Sequence, residues 1–215
     1  SEARHVIVTA SSDIQAPVHF LFDNETKKLQ LLGASRPWLD SSAMASQDFH
    51  RVKVRDGFEV PVYVTKPRGK GPFPTVVLVH GGPFVRGVEW GFNPANQFLA
   101  SRGYLVVEPE FRGSTGYGSK LFKAGWKQWG LGMQDDITDA TRWAIDQGLA
   151  DPKRVAIAGA SYGGYATMMG LVKEPGLYRA GVNWVGVTDI EMMYTIGWSD
   201  FLDADNPKKL MPRLK

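Results

Sequence analysis

The chain has 215 residues, of which 43% are hydrophobic and 22% are charged, a composition typical of a folded globular protein rather than a disordered one. Its formal net charge of +3 is too small to favour nucleic-acid binding, and the absence of cysteine excludes disulfide bonds and cysteine-ligated metal sites. No apolar run has the length of a membrane span and no leader pattern opens the chain. We therefore expect a soluble protein without membrane partners, with the cytoplasm favoured over secretion.

The first 45 residues favour a small antiparallel β unit. One strand is predicted at 5–10, and two more at 18–22 and 28–32 flank a polar turn, which is the pattern of a β-hairpin. A unit of this size buries too little surface to be stable alone. It is either the end of a larger all-β domain or a β-extension packed on the main domain. We place the domain boundary after residue 45, with a second domain over 46–215.

The second part of the chain alternates strands with helices. The predicted elements are a hairpin over 52–64, strands at 76–79, 104–107, 155–158 and 180–187, and helices at 96–102, 134–147 and directly after 161. This alternation predicts an α/β fold, with a mostly parallel sheet covered by helices on both faces. The strand at 180–187 is expected at an edge of that sheet, exposed unless something covers it.

The segment from Arg154 to Gly170 predicts a nucleophile elbow centred on Ser161. A short apolar run leads into a G-x-S-x-G pattern, and apolar residues at helical spacing follow. Glycines two positions before and after Ser161 allow a sharp turn from strand to helix. A helix that begins here directs its free amides at the serine, so the Tyr162 amide is a candidate oxyanion donor. The alternative, a glycine-rich structural turn, is disfavoured by the strand before it and the helix after it.

A second motif, His80-Gly81-Gly82-Pro83, follows a predicted buried strand. Hydrolases of the α/β type place their second oxyanion donor in such a loop, where glycine lets the backbone approach the substrate. A plain strand-to-loop turn is the alternative. His80 is not predicted as the catalytic base, because in these hydrolases the histidine follows the serine and the acid in the chain. We expect its side chain to hold the glycine loop by hydrogen bonding.

Three other patterns are assigned no catalytic role. The glycines at 113–118 do not have the spacing of a dinucleotide- or phosphate-binding loop. Asp135, Asp136 and Asp139 fall in the first turns of a predicted helix, where the helix dipole stabilises carboxylates, so we interpret them as capping residues rather than a metal site. The tryptophans between 126 and 143 are interpreted as packing residues rather than a ligand cage.

Three motifs in one order carry a resemblance to a known family. They are HGGP at 80–83, EFRGSTGYG at 110–118 and DPKRVAIAGASYGGYA at 151–166. Together they resemble the catalytic domain of the prolyl oligopeptidase family of serine peptidases, in its dipeptidyl-peptidase and acylaminoacyl-peptidase branch. The likeness covers about residues 48–189.

The resemblance implies an α/β-hydrolase fold with Ser161 as nucleophile and the amides of Tyr162 and Gly82 as the oxyanion hole. It implies cleavage of peptide or acyl-peptide substrates through an acyl-enzyme, without a metal or an organic cofactor. A β-propeller precedes the hydrolase domain in that family, so residues 1–45 resemble the end of its last blade. The sequence does not determine the oligomeric state, and a homo-oligomer is kept as an open alternative.

The sequence departs from the family in its acid and histidine, which follow the elbow in that family. All four histidines precede Ser161, at positions 5, 19, 50 and 80. The aspartates after the elbow, at 189, 200, 203 and 205, cannot be assigned to the acid. We therefore expect a C-terminally incomplete chain whose histidine and acid come from further sequence. Two alternatives stay open, a carboxylesterase or lipase with the same elbow and a non-catalytic fragment.

Overall fold

Two β-sheets form the frame of the described part of the chain. A computed structural model of the protein describes residues 3–190 and residue 192. The first sheet contains β1 to β3, at His5–Ala10, Val18–Asp23 and Lys28–Ala34. The second contains β4 to β9, at Gln47–Lys53, Glu59–Thr65, Phe73–Val79, Leu105–Pro109, Ala150–Ala160 and Ala180–Trp184. The α-helices α1 to α4 lie at Pro94–Ser101, Ser119–Ala124, Gly132–Asp146 and Tyr162–Lys173.

The second sheet has the order β4-β5-β7-β6-β8-β9. Strand β5 is antiparallel to β4 and β7, whereas the pairs β7–β6, β6–β8 and β8–β9 are parallel. The carboxyl ends of β6, β7 and β8 therefore meet at one edge of the sheet, which is where open α/β sheets bind their ligands. The sheet and its helices have the α/β-hydrolase arrangement that the sequence predicted.

The hydrophobic core lies between this sheet and its helices. Val62, Val77, Val107 and Ile157 come from four neighbouring strands, and Ile137 comes from α3; all five are fully buried. Burying a side chain of this size contributes roughly 1.5–3 kcal/mol. Strand β7 is buried at every position and contacts both α1 and α3. The centre of the sheet is therefore well packed up to the points where the loops at the ligand-binding edge begin.

The N-terminal sheet is built as predicted. Strand β2 pairs antiparallel with β1 and with β3, and a four-residue polar turn connects β2 to β3. Asp13 joins this segment to the rest of the molecule, since its carboxylate accepts from the Gln47 amide at 2.9 Å and its carbonyl accepts from Gln97 at 3.0 Å. The predicted hairpin over 52–64 is also present, as β4 and β5.

Two elements differ from the sequence prediction. Helix α2 was not predicted, because six residues with a single buried side chain, Leu121, show no helical periodicity. Strand β9 ends at Trp184 rather than at residue 187, since Val185 adopts a positive φ of 46° that an extended strand does not accommodate. Within the described residues β9 pairs with β8 alone, so its predicted edge position is confirmed.

No helix within residues 3–190 has both the length and the apolar character needed to cross a bilayer.

Candidate active site

The loops after β6 and β8 bring the two glycine motifs together. These strands are parallel neighbours, with Val79 paired with Gly159, so both chains leave the sheet at the same level. A Cβ atom at Gly81 would lie 3.3 Å from the Ala160 carbonyl oxygen and 3.4 Å from Ser161 Cβ. The HGGP loop therefore runs directly beside Ser161, and a side chain at position 81 would make tight contacts there.

Ser161 has the strained backbone that a nucleophile elbow requires. Its φ of 57° and ψ of −120° lie outside the regions that side-chain-bearing residues normally occupy. It stands between the end of β8 and the first residue of α4, and its carbonyl accepts from the Gly164 and Tyr165 amides at 3.0 and 3.2 Å. This conformation raises the side chain above the carboxyl edge of the sheet and leaves it half-buried.

The two flanking glycines of the elbow are required by close packing of backbone on backbone. A Cβ atom at Gly163 would overlap the Val79 carbonyl oxygen of β6. At Gly159 it would lie 2.5 Å from the Gly163 carbonyl carbon and 2.6 Å from the same Val79 oxygen. Any larger residue would therefore push α4 away from β6 and β8. The two glycines of the G-x-S-x-G pattern are thus explained by the close contact of α4 with β6 and β8.

The two candidate oxyanion donors are the backbone amides of Tyr162 and Gly82. The Tyr162 amide is in the first turn of α4, whose amides have no partner inside the helix. Gly82 adopts a positive φ of 116°, which turns the HGGP loop at that residue. Among the described residues neither amide donates a hydrogen bond to the backbone or to a side chain. Both are therefore available to an oxygen atom that binds beside Ser161.

The Tyr162 side chain anchors the elbow from below. Its ring is fully buried, with ring centroids 4.7 Å from Trp129, 5.4 Å from Phe111 and 5.6 Å from Tyr165. Burial raises the pKa of Tyr162 above its ordinary value, so the phenol stays neutral. The packing roles predicted for the tryptophans are confirmed, because Trp143 likewise contacts a neighbouring ring, that of His50, at 4.8 Å.

His80 holds the glycine loop, as predicted. Its ring stacks on Phe111 with centroids 4.4 Å apart, Nδ1 lies 2.7 Å from the Gly81 carbonyl oxygen, and Nε2 lies 3.0 Å from Ser114 Oγ. Since a carbonyl only accepts, Nδ1 carries the proton and Nε2 accepts from Ser114. Burial lowers the pKa of His80 to about 4. A neutral ring with both nitrogens engaged is unsuited to take a proton from Ser161.

Glu110 extends this network beneath the loop, and the sequence analysis missed it. Its carboxylate accepts from the Val88 amide, and Oε1 lies 3.9 Å from His80 Nε2. Burial raises the pKa of Glu110 to about 7. Gly87 leaves room for the arrangement, because a Cβ there would overlap the His80 ring. The sequence signal that could have identified Glu110 is a glutamate directly after an apolar strand, at the edge of the sheet where ligands bind.

The interpretation of the three helix aspartates as capping residues was wrong for Asp136 and Asp139, whereas Asp135 does lie in the first turn of α3. Asp136 is buried and binds Arg112 through contacts of 2.6 and 2.8 Å, while Asp135 and Asp139 bind Arg55. Helix α3 begins with Leu131 at its N-cap and has no side-chain cap. The carboxylates serve as anchors for arginines from other elements. Within residues 3–190 and residue 192, no cluster of three or more histidine or acidic side chains is suited to a metal ion.

The other residues that were considered for the base and the acid are divided between the described and the undescribed parts of the chain. His5 and His19 belong to the N-terminal sheet, and His50 lies on β4. Asp189 accepts from the Met192 amide at 3.2 Å. Three further aspartates that were considered for the acid, at 200, 203 and 205, lie outside the described residues.

Comparison with known proteins adds relatives over most of the chain. The model of the prolyl oligopeptidase family, a peptidase family, matches residues 90–212. Dipeptidyl aminopeptidase BIII of Pseudoxanthomonas mexicana is 38% identical over 209 residues, which cover 91% of this chain and 30% of that protein. Dipeptidyl peptidase family member 6 of Caenorhabditis elegans is 34% identical over 207 residues, which cover 86% of this chain and 28% of that protein.

A solved structure agrees with these relatives. A puromycin-hydrolyzing peptidase of Mycobacterium tuberculosis superimposes with a TM-score of 0.79 and 25% identity, over 91% of this chain and 31% of that one. The chain thus spans between 28% and 31% of the length of the three proteins.

Proposed function

This chain belongs to the prolyl oligopeptidase family, and we propose that it supplies the nucleophile and the oxyanion hole of a serine peptidase. In this proposal Ser161 is the nucleophile, and the amides of Tyr162 and Gly82 bind the oxyanion. The substrates are short peptides or acylated peptides, in keeping with the dipeptidyl aminopeptidase activity named for the Pseudoxanthomonas mexicana relative.

One observation carries the proposal, the strained conformation of Ser161 beside the HGGP loop. A non-glycine residue at φ 57° and ψ −120° costs of order 1–3 kcal/mol, and such strain is retained where function requires it. The same turn brings the Gly81 backbone to the serine and leaves the Tyr162 and Gly82 amides without other partners among the described residues. Nucleophile and oxyanion donors thus share one small region.

The reaction follows from these positions. Ser161 Oγ forms a bond to the carbonyl carbon of the scissile peptide while its proton passes to a base, and the two amides bind the developing oxyanion. The carbon–nitrogen bond then breaks, and the amine leaves with that proton. Water hydrolyses the resulting ester, which releases the acid and restores the serine. Removing one oxyanion donor typically costs 10²- to 10³-fold in rate.

The base and its supporting acid are not assigned to any described residue. His80 is the histidine nearest to Ser161 in the fold, but its buried ring is neutral and its two nitrogens bind Gly81 and Ser114. Its role in this proposal is to position the loop that carries Gly82.

Labelling with a fluorophosphonate tests the nucleophile. In the full-length protein we expect one adduct per chain, on Ser161, and loss of both the adduct and peptide cleavage in Ser161→Ala. Ser101→Ala is the matched control, because Ser101 is an exposed serine at the end of α1. It should label and turn over like the wild type. Intact mass before and after exposure, followed by peptide mapping, provides the readout.

Two results would contradict the proposal. Retained peptide cleavage in Ser161→Ala would exclude Ser161 as nucleophile. Cleavage of esters without any cleavage of aminoacyl amides would instead indicate a carboxylesterase, because a serine peptidase hydrolyses both.

A further inference from the structure

The loop after β6 carries an arginine, Arg86, close behind the oxyanion loop. Only three residues separate it from Gly82, and the loop folds back, since a Cβ at Gly82 would lie 2.8 Å from Val85 Cγ2. The Val85 carbonyl accepts from the Thr115 amide at 3.1 Å. This bond ties the loop after β6 to the loop after β7 and gives Arg86 a defined place at the ligand-binding edge.

The Arg86 side chain is held by aromatic residues of two other elements. Its guanidinium lies 5.5 Å from the centroid of the Tyr117 ring, Nη2 lies 3.4 Å from Tyr63 Oη, and Nε donates to the Val88 carbonyl at 3.3 Å. The two phenol oxygens are themselves 3.1 Å apart. Gly116 leaves room for the stem, because a Cβ there would lie 3.1 Å from Arg86 Cδ. The cation is therefore preorganised rather than freely rotating.

The guanidinium keeps donors for a ligand. Arginine has five N–H donors, of which these contacts use two. Arg86 is exposed, and within the described residues no carboxylate lies within 4 Å of its nitrogens. Glu89 and Glu110 act on it only at longer range. A fixed arginine with three free donors matches the geometry of a carboxylate, which it binds through two parallel hydrogen bonds.

Strand order places this cation within reach of a bound peptide. Ser161 follows β8, Gly82 follows β6 and Tyr117 follows β7, and the three strands are consecutive neighbours. Adjacent strands lie about 4.8 Å apart, so the β7 side of the edge is about 10 Å from the elbow. An extended peptide covers this distance in about three residues, at about 3.3–3.6 Å each.

We propose that Arg86 binds a carboxylate of the peptide substrate about three residues from the scissile bond, which makes it a specificity-determining residue. This inference rests on the proposed peptidase function. The carboxylate is either the free C-terminus of a short peptide or an acidic side chain at that position. A peptide with an amidated C-terminus or an uncharged side chain at this position binds more weakly, because N–H donors of Arg86 then lack an acceptor.

Matched peptides test this preference in the full-length enzyme. One pair differs in a free or amidated C-terminus about three residues after the cleaved bond, and a second pair, amidated, differs in Glu or Gln at that position. For the favoured pair we expect kcat/KM to be about 10- to 100-fold higher for the carboxylate member, mostly through KM. Arg86→Gln should bring this ratio close to 1, and Arg86→Lys should restore part of it. The pair that responds identifies the source of the carboxylate.

Arg102→Gln is the matched control. Arg102 is another exposed arginine that lies over an aromatic ring, that of Phe98 at 5.2 Å. It follows α1 and precedes the amino end of β7, so it lies at the edge of the sheet opposite to that of Ser161. Its substitution should leave both ratios at the wild-type value. Ratios near 1 for both pairs in the wild type, or an unchanged ratio in Arg86→Gln, would overturn the assignment.

A binding measurement separates this inference from the peptidase mechanism. Ser161→Ala protein is titrated with the same peptide pairs by calorimetry, with and without Arg86→Gln. Tighter binding of the carboxylate peptide that depends on Arg86 supports the site even if no peptide is cleaved. Equal binding of both members overturns it, whatever the outcome of fluorophosphonate labelling.

Discussion

At the scale of single residues, the site depends on glycines that permit backbone contacts. Gly163 packs on the Val79 carbonyl, Gly81 packs on Ser161, and Gly87 lies against the His80 ring. Each contact brings two chain segments closer than any side chain would allow. The glycines of the elbow are therefore structural requirements of the strained serine rather than sources of flexibility.

Gly163→Ala tests this packing. Its new methyl group would overlap a backbone oxygen of β6 that cannot rotate away, so we expect a loss of about 1–3 kcal/mol in the free energy of unfolding. Urea unfolding measures this loss, and fluorophosphonate labelling of Ser161 should fall with it. Gly176→Ala is the control, because no atom lies within 4 Å of a Cβ there. Equal stability of the two variants would refute the packing argument.

At the scale of elements, buried charge connects the loop after β7 to α3. Arg112 binds Asp136 with its backbone amide and its guanidinium at 2.6–2.8 Å, and it reaches Asp56 of the β4–β5 turn at 2.9 Å. These bonds raise the pKa of Arg112, so it stays charged. The loop that contains Ser114 and Tyr117 is thereby fixed at its start, which in turn supports the His80 and Arg86 contacts.

Removal of the Asp136 carboxylate should be strongly destabilising. In Asp136→Ala the Arg112 cation would remain buried without its main partner, which typically costs about 3–5 kcal/mol. Arg142→Ala on the same helix removes an exposed ion pair with Glu174 and should cost less than about 1 kcal/mol. Denaturant midpoints at constant slope provide the comparison. A loss at Asp136 as small as that at Arg142 would contradict the anchoring role.

At the scale of the whole molecule, a buried carboxyl joins three elements of the fold. Glu108 of β7 accepts from Asn96 of α1 at 2.7 Å and from Gln47 of β4 at 3.3 Å. Burial raises the pKa of Glu108 from an ordinary value of 4.5 to about 7. The folded protein therefore keeps a proton that the unfolded chain loses between pH 4.5 and 7. This group makes the protein less stable as the pH rises through that window.

Glu108→Gln should remove this pH dependence. Between pH 5 and pH 8.5 we expect the variant to gain about 2–3 kcal/mol in stability relative to the wild type, because glutamine stays neutral at both values. Comparison at matched pH cancels the opposite contribution of His80, whose lowered pKa reduces stability as the pH falls from 6.5 toward 4. Glu59→Gln, at an exposed position on β5, should follow the wild type. A constant difference for Glu108→Gln across the range would contradict the expectation.

Local patterns in the sequence determined much of this protein. The apolar runs, the hairpin turns and the G-x-S-x-G pattern reflect backbone geometry over a few consecutive residues, so they predicted the strands, the α/β class of the fold and the sharp turn at Ser161. The HGGP motif was singled out because α/β hydrolases place an oxyanion donor in a loop after a buried strand, and the α/β-hydrolase fold was expected from the resemblance to the family. Predicting these features requires only the conformational preferences of neighbouring residues and the rules by which strands assemble into sheets.

The tertiary structure alone decided which distant side chains meet. Asp139 was misinterpreted as a cap because its partner, Arg55, lies 84 positions earlier in the chain. Glu110 approaches His80, and Arg86 contacts Tyr63 and Tyr117, because β5, β7 and β6 lie side by side in the folded sheet. Local periodicity contains no information on such pairs, since their energies depend on burial and distance in the folded chain. The sequence by itself thus identified the elbow around Ser161, whereas the folded chain revealed the cation that we expect to select substrates.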